Sequence, residues 1–285
     1  MDEKKLYSPK IMKEILERHG FEFSKSLGQN FLIDGNIINK IVDAAGIDEE
    51  TGVIEIGPGF GTLTQGLCQK AKKVVAIEID NSLKPVHYDT LGYDNLKIIY
   101  EDFMKIDINK LIEEEFQGLK VKLVANLPYY ITTPIIMKVL EEKINICSIT
   151  VMVQKEVAQR LSAKPGNKDY GAISLAVEYR ADAKLSLVVP STVFMPKPKV
   201  DSAVITIDIL DEPRVKVKDE KQLFAVIRAA FGQRRKTIHN SISSILKLDK
   251  DKVRDSIVRA GIDPGIRAEQ LTIYDFAKIA EELYK

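Results

Sequence analysis

Short apolar runs alternate with helix-length segments through the first 154 residues. The runs are VIEI (53–56), KVVAIEID (73–80), LKIIYED (96–102), VKLVANLP (121–128) and SITVMVQ (148–154). They are rich in Val and Ile and lack strict alternation, the pattern of strands buried on both faces. Between them lie segments such as IDINKLIEEEF and TPIIMKVLEEK, which have helical length and spacing. This alternation restricts the chain to an α/β fold around a parallel sheet. Such sheets bind ligands beyond the carboxyl ends of their strands. The informative segments are therefore GPGFG, Glu78 with Asp80, Glu101 with Asp102, and NLPYY. Two further strands, LSLVVP (185–190) and SAVITIDIL (202–210), flank the loop STVFMPKPKVD. YGAISLAVEYR reads as a helix, with a strand as the alternative. DEP (211–213) marks a boundary, beyond which KQLFAVIRAAFGQRRKTIHNSISSILKL reads as helix with a break at Gly232. The final helix opens with Thr272 and Asp275 at capping-box spacing. A domain over residues 1–212 and an all-helical domain over 213–285 are expected.

Hydrophobic residues make up 45% of the chain and charged residues 29%, which excludes disorder and low complexity as its main character. Stretches such as Ile149–Val153 fall far short of the ~18 apolar residues that cross a bilayer. MDEKKLYSPK leads into no apolar run, so no secretory signal is expected. Cys68 and Cys147 lie far apart without a CxxC, so neither a metal site nor a disulfide is expected, and the expected location is the cytoplasm. Net charge is only +1, yet residues 214–259 hold 13 Lys and Arg against 5 Asp and Glu. Two readings of that segment stay open here, a polyanion contact and a solvated helix face.

Glu55-Ile-Gly-Pro-Gly-Phe-Gly closes the first strand. Gly57, Gly59 and Gly61 form GxGxG rather than the GxGxxG of dinucleotide folds. Pro58 removes a backbone N–H from the turn, and a pyrophosphate cradle depends on such donors. Glu78 ends the second strand, 21 residues after Gly57, where an acid can hold both ribose hydroxyls of a nucleoside. Asp102 ends the third strand, placed to accept from an exocyclic amine. A nucleoside without phosphates beside a glycine turn points to S-adenosylmethionine. A plain tight turn and a dinucleotide site are the alternatives.

Asn126-Leu-Pro-Tyr129 follows the fourth strand at the same sheet edge. This tetrapeptide suits methylation of an aromatic exocyclic amine, whose lone pair is delocalised into the ring. Two acceptors on its N–H groups draw the nitrogen toward tetrahedral geometry. Asn126 offers a side-chain carbonyl, and the backbone carbonyl of Pro128 is expected to be the second acceptor. Tyr129 offers a face for base stacking. Phe194 is either a second stacking face, with Lys197 and Lys199 on flanking phosphates, or a core anchor. No metal is required. His19, His87 and His239 read as surface or packing residues.

Taken together, SLGQNFL, EIGPGFGTLT, EDFM, NLPYYITTPI, VQKEVAQRL, FMPKPKVDSAV, FGQRRKTIHNSI and RAEQLT resemble the ribosomal RNA adenine dimethyltransferase family, on its bacterial small-subunit side. The resemblance runs from about Ser24 to the C-terminus. It implies a Rossmann-like seven-stranded methyltransferase sheet with a small helical C-terminal domain. It also implies S-adenosylmethionine as methyl donor, with S-adenosylhomocysteine as product. The implied substrate is two adjacent adenosines near the 3′ end of 16S rRNA, in an assembling small subunit. Carried over by residue, Gln29, Asn30, Leu32, Glu55, Gly57, Gly59, Gly61, Glu78, Asp102 and Asn126 would hold the cofactor. Tyr129 and Phe194 would clamp the base. Arg234, Arg235 and Lys236 match a basic helix and would meet rRNA. One departure is Glu101, where the family commonly carries Gly. The rival readings are a resistance-type methyltransferase of large-subunit rRNA and a non-catalytic RNA-binding assembly factor. A monomer is expected.

Overall fold

An inner strand of the main sheet is buried at every residue from Thr51 to Ile56, as a strand covered on both faces must be. In a computed structural model, which describes residues 5–24 and 27–285, this strand sits in the alternation expected from the sequence. Helix α1 (Pro9–Arg18), the two-residue strand β1 (Phe31–Leu32) and helix α2 (Gly35–Ala45) precede it. Then come β2 (Thr51–Ile56), α3 (Thr62–Cys68), β3 (Lys73–Glu78), α4 (Lys84–Thr90), β4 (Leu96–Tyr100) and α5 (Ile108–Phe116). After these follow β5 (Lys120–Asn126), α6 (Thr132–Glu141) and β6 (Ser148–Gln154). Helices α7 (Lys155–Leu161) and α8 (Ala172–Arg180) lead into β7 (Ala181–Val189), β8 (Phe194–Met195) and β9 (Ser202–Ile209). Four helices close the chain: α9 (Glu220–Phe231), α10 (Ile238–Leu246), α11 (Lys250–Arg259) and α12 (Ile273–Leu283).

Seven strands form one sheet in the order β4-β3-β2-β5-β6-β9-β7. β4, β3, β2, β5 and β6 run parallel, and β9 is antiparallel to β6. The chain builds outward from β2 to β3 and β4, then crosses to lay β5 and β6 on the other side. The order therefore reverses between β2 and β5, and a crevice opens at the carboxyl ends of such a pair. β1 pairs antiparallel with β8, matching Leu32 with Phe194 and Phe31 with Met195. That pairing ties the segment after Asn30 to the start of the FMPKPK loop. At Gly52 in β2 the Phe116 ring of α5 occupies the space a Cβ would need, so the helix lies close on the strand.

The described residues fall into two compact units. The first comprises those through Ala158 together with Lys184–Ile209, and it contains the sheet edge just described. The second comprises Gln159–Ala183 and Leu210–Lys285. Residues 159–183 thus cluster with the C-terminal helices and not with the 1–212 domain that the sequence predicts. The reason is apolar burial: Tyr170, Leu175 and Tyr179 share a core with Leu223, Val226 and Phe276. The Tyr170 hydroxyl donates to the Leu271 carbonyl at 3.0 Å, and Arg180 pairs with Glu220. YGAISLAVEYR is helix α8, and the Thr272–Asp275 capping box forms at the start of α12. α9 ends next to Gly232, so Arg234, Arg235 and Lys236 lie in the turn before α10 and not on a helix. Among the described residues, no helix is long and apolar enough to cross a membrane.

Candidate active site

The carboxyl ends of β2, β3 and β5 and the segment after β4 open into one cleft. It is lined by Gln29, Asn30, Leu32, Glu55, Gly57, Gly59, Glu78, Asp102, Asn126, Pro128 and Tyr129. Chain segments up to a hundred residues apart meet there because each follows, or pairs beside, a strand of one edge.

The turn after β2 is held by backbone bonds and by Glu78. Gly57 and Gly59 both adopt left-handed backbone, φ 66° and 56°, which favours glycine. A Cβ at Gly57 would meet nothing within 4 Å, so the backbone there is open to a ligand. A Cβ at Gly59 would strike the Phe31 ring at 2.8 Å. Gly61 caps α3 at φ 92° and packs against Leu91, outside the cleft lining.

Glu78 is buried, and its carboxylate accepts from the Gly59 N–H at 3.0 Å and the Asp80 N–H at 2.8 Å. Burial raises its pKa, against the pull of these two donors. A carboxylate offers about four lone-pair sites, so Glu78 retains capacity for a diol. Asp102 Oδ1 accepts from the Met104 N–H at 2.9 Å, which leaves Oδ2 for an amine. Glu101 turns its carboxylate onto the Asp102 N–H at 2.9 Å and so caps the loop. Gln29 is a strut: it accepts from the Ser24 N–H and donates to Asp80 Oδ2 at 2.7 Å.

Glu55, 1% exposed, is the most buried acid of the cleft. Desolvation pushes its carboxyl up to about 8; the Thr64 hydroxyl pulls that value back and the Glu78 charge adds to it. Glu55 Oε2 has no hydrogen-bond partner among the described residues. A buried, unmatched carboxyl oxygen in a cleft is suited to a ligand that brings a donor.

Asn126 ends β5, and its Nδ2 donates to the Asn30 carbonyl at 2.9 Å. Asn30 in turn donates from its side chain to the Gly28 carbonyl at 2.9 Å. With its nitrogen anchored, Asn126 presents Oδ1 as an acceptor. The Pro128 carbonyl, the expected second acceptor, is already used: it accepts from the Ile131 N–H at 3.2 Å and from Thr132 Oγ1 at 3.3 Å. The turn into α6 consumes it. The Leu127 carbonyl has no such partner among the described residues. Tyr129 is fixed by a 2.8 Å hydrogen bond between its hydroxyl and Ser202 Oγ on β9.

Phe194 does not line the cleft. At 4% exposure it packs in the sheet core with Leu32, Val189 and Val204, the core-anchor alternative. Lys197 and Lys199 are exposed just beyond β8. Arg234, in the second unit, donates to the Lys168 and Tyr170 carbonyls at 2.7 and 3.0 Å. Its guanidinium is a tether within that unit, while Arg235 and Lys236 beside it are exposed. Two residues that the sequence does not assign to the site belong here, Tyr130 and His87, the latter expected only as a surface or packing residue. Tyr130, 57% exposed, borders the cleft with its ring against Gly28, and only its place beside Tyr129 hinted at it. His87 reaches the glycine turn from α4, and no spacing announced it.

A family profile described as ribosomal RNA adenine dimethylase matches residues 20–285. The ribosomal RNA small subunit methyltransferase A of Alkaliphilus oremlandii is 52% identical over 283 residues, covering 99% of each chain. The protein of the same name from Geobacillus thermodenitrificans is 52% identical over 98% of this chain and 97% of its own. Among solved structures, a dimethyladenosine transferase from Plasmodium falciparum superposes with a TM-score of 0.73 at 26% identity, covering 87% of this chain and 95% of that one. With likeness of this extent in sequence and in fold, the chain belongs to the ribosomal RNA adenine dimethylase family.

Proposed function

We propose that this chain dimethylates the exocyclic amine of adenosine in small-subunit rRNA, with S-adenosylmethionine as methyl donor. The finer target, two adjacent adenosines near the 3′ end of 16S rRNA in an assembling subunit, is part of the same reading. The observation that carries it is the anchored Asn126 amide at the sheet edge that also bears Glu78 and Asp102.

The cleft fits the cofactor on three counts: open backbone at Gly57, spare acceptor capacity on Glu78 and Asp102, and an unmatched buried carboxyl at Glu55. When bound, S-adenosylmethionine supplies a methyl group on a good leaving group. The chain's own residues do the rest. Glu78 holds a ribose diol, Asp102 Oδ2 an adenine amine, and Glu55 a cationic donor. Asn126 Oδ1 and the Leu127 carbonyl accept the two N–H groups of the target amine and so localise its lone pair. The amine so held would take the methyl group, the sulfur keeping the electron pair of the broken C–S bond, and would then lose a proton to solvent. Tyr129, held by Ser202, stacks on the base, worth ~1–3 kcal/mol. Positioning in line is the main catalytic contribution.

Radiolabelled S-adenosylmethionine, incubated with unmodified small subunits and in parallel with large subunits, tests this. Label is expected in dimethyladenosine of the small subunit. Label confined to the large subunit would assign the activity to the resistance-type reaction, and no label in either would leave only RNA binding.

The exposed pair Arg235 and Lys236, with Lys197 and Lys199, supports phosphate contact. In the double variant Arg235→Gln/Lys236→Gln the plot of log affinity against log salt is expected to flatten by about 1.5, since each phosphate contact contributes about 0.7–0.9 to the slope. Arg234 is left in place because it holds the 168–170 loop. An unchanged slope would return this turn to the role of a solvated surface.

A further inference from the structure

We infer that His87 is a positioning residue for cofactor binding, holding the glycine turn so that Glu78 keeps the orientation needed for a ribose diol. This deepens the proposed function and rests on it.

His87 is 2% exposed, on α4 behind the turn. Both ring nitrogens are matched. Nε2 lies 2.6 Å from the Gly59 carbonyl and Nδ1 lies 2.7 Å from the Tyr100 hydroxyl. A carbonyl only accepts, so Nε2 carries the proton. Burial lowers the pKa of the imidazole, which keeps the ring neutral at pH 7. Nδ1 is then the acceptor for the Tyr100 O–H, and the tautomer is fixed from outside the ring.

The relay joins three strand ends. Tyr100 closes β4, Glu78 closes β3, and Gly59 lies in the turn after β2. Gly59 is gripped from both sides, its carbonyl by His87 and its N–H by Glu78 Oε2 at 3.0 Å. Glycine has the widest backbone freedom, and two left-handed glycines flank Pro58 here. Such a turn takes one shape only if external bonds select it. Without His87, Gly59 loses its carbonyl partner, and Glu78 loses a fixed donor against which to orient. A packing residue would need only the volume of the ring. This one also supplies a directed donor to the peptide that orients the ribose acid, and a ring stacked on Tyr100 at 5.8 Å keeps it there.

The test compares His87→Leu with the wild type in binding two ligands by calorimetry. The ligands are S-adenosylhomocysteine and its 2′,3′-dideoxy analogue, which lacks the hydroxyls Glu78 would hold. The variant is expected to bind S-adenosylhomocysteine about tenfold more weakly, the effect of one net hydrogen bond, and the analogue within about twofold of wild type. His87→Gln, which keeps an N–H donor, is expected to recover part of the loss. In turnover, KM for the donor is expected to rise while kcat at saturation stays within about twofold. Should His87→Leu fail to fold, Tyr100→Phe removes only the hydroxyl that fixes the tautomer and is expected to show a smaller loss with the same ligand dependence. Equal losses for both ligands, or no loss in either variant, overturn the relay. If wild type itself fails to bind S-adenosylhomocysteine, the proposed function falls, which is a distinct result.

Discussion

Asn126→Ala is expected to lower methyl transfer at saturating donor on the order of 10²–10³-fold, the usual effect of removing one preorganised polar group aimed at the reacting atoms. Small-subunit binding should stay near wild type, because the basic residues proposed to meet phosphate lie elsewhere. The direction of the amide decides this. Its nitrogen is committed to the Asn30 carbonyl, so its oxygen is the end presented to an amine. Asn126→Asp is the sharper variant. It keeps an acceptor of the same shape but sets a carboxylate oxygen against the Asn30 carbonyl in place of a donor. It is expected to raise KM for the donor as well as to lower kcat, since Asn30 borders the cofactor cleft. Single-turnover rates with unmodified small subunits, measured beside equilibrium binding, check both variants. Near-normal turnover in the alanine variant would remove the acceptor role.

The second large effect concerns pH and stability. Glu55 has a folded-state pKa raised from 4.5 to about 8, chiefly by burial. A carboxyl raised in this way is neutral in the folded protein where the unfolded chain has already ionised. Its stabilising contribution is therefore complete below pH 4.5 and is lost as pH rises to about 8. Relative to Glu55→Gln, which is neutral throughout, the wild type should lose about 1.4 kcal/mol of stability per pH unit across that window. Above pH 8 the difference should level off. Glu78, also raised by burial, is common to both proteins, so its own slope largely cancels in the comparison. Urea unfolding of both proteins at pH 5, 6.5 and 8, without ligand, measures this. Parallel stability curves would show that Glu55 is ionised in the folded protein and would end the argument.

These expectations draw on different amounts of sequence information. The inner strands were legible because burial on both faces leaves a local mark, a short run of Val and Ile between turn residues, whereas the edge strands β4 and β7 are part-exposed and were legible from their apolar content alone. Seven strands were expected and seven form the main sheet. The glycine turn and the acids at the ends of β3 and β4 were legible for a related reason. Turn chemistry and strand ends are fixed within a few residues, and a parallel sheet gathers all such ends at one edge.

Saturation was not legible. Proline at position 128 marks a turn, but only the folded turn shows Ile131 and Thr132 filling its carbonyl. Arginine at position 234 resembles its basic neighbours, yet two carbonyls some 65 residues earlier claim it. Phe194 was equally suited to a base and to a core until the pairing of β8 with β1 set it among Leu32 and Val204.

What the amino-acid order determined alone was the α/β class, the strand set and the row of polar groups at the strand ends, because periodicity and turn preference act over a few residues. The tertiary structure decided which of those groups remain available, how residues 159–183 are assigned and why His87 matters. Burial and hydrogen-bond partners come from distant segments, and a donor or acceptor already matched by one of them has nothing left to offer a ligand.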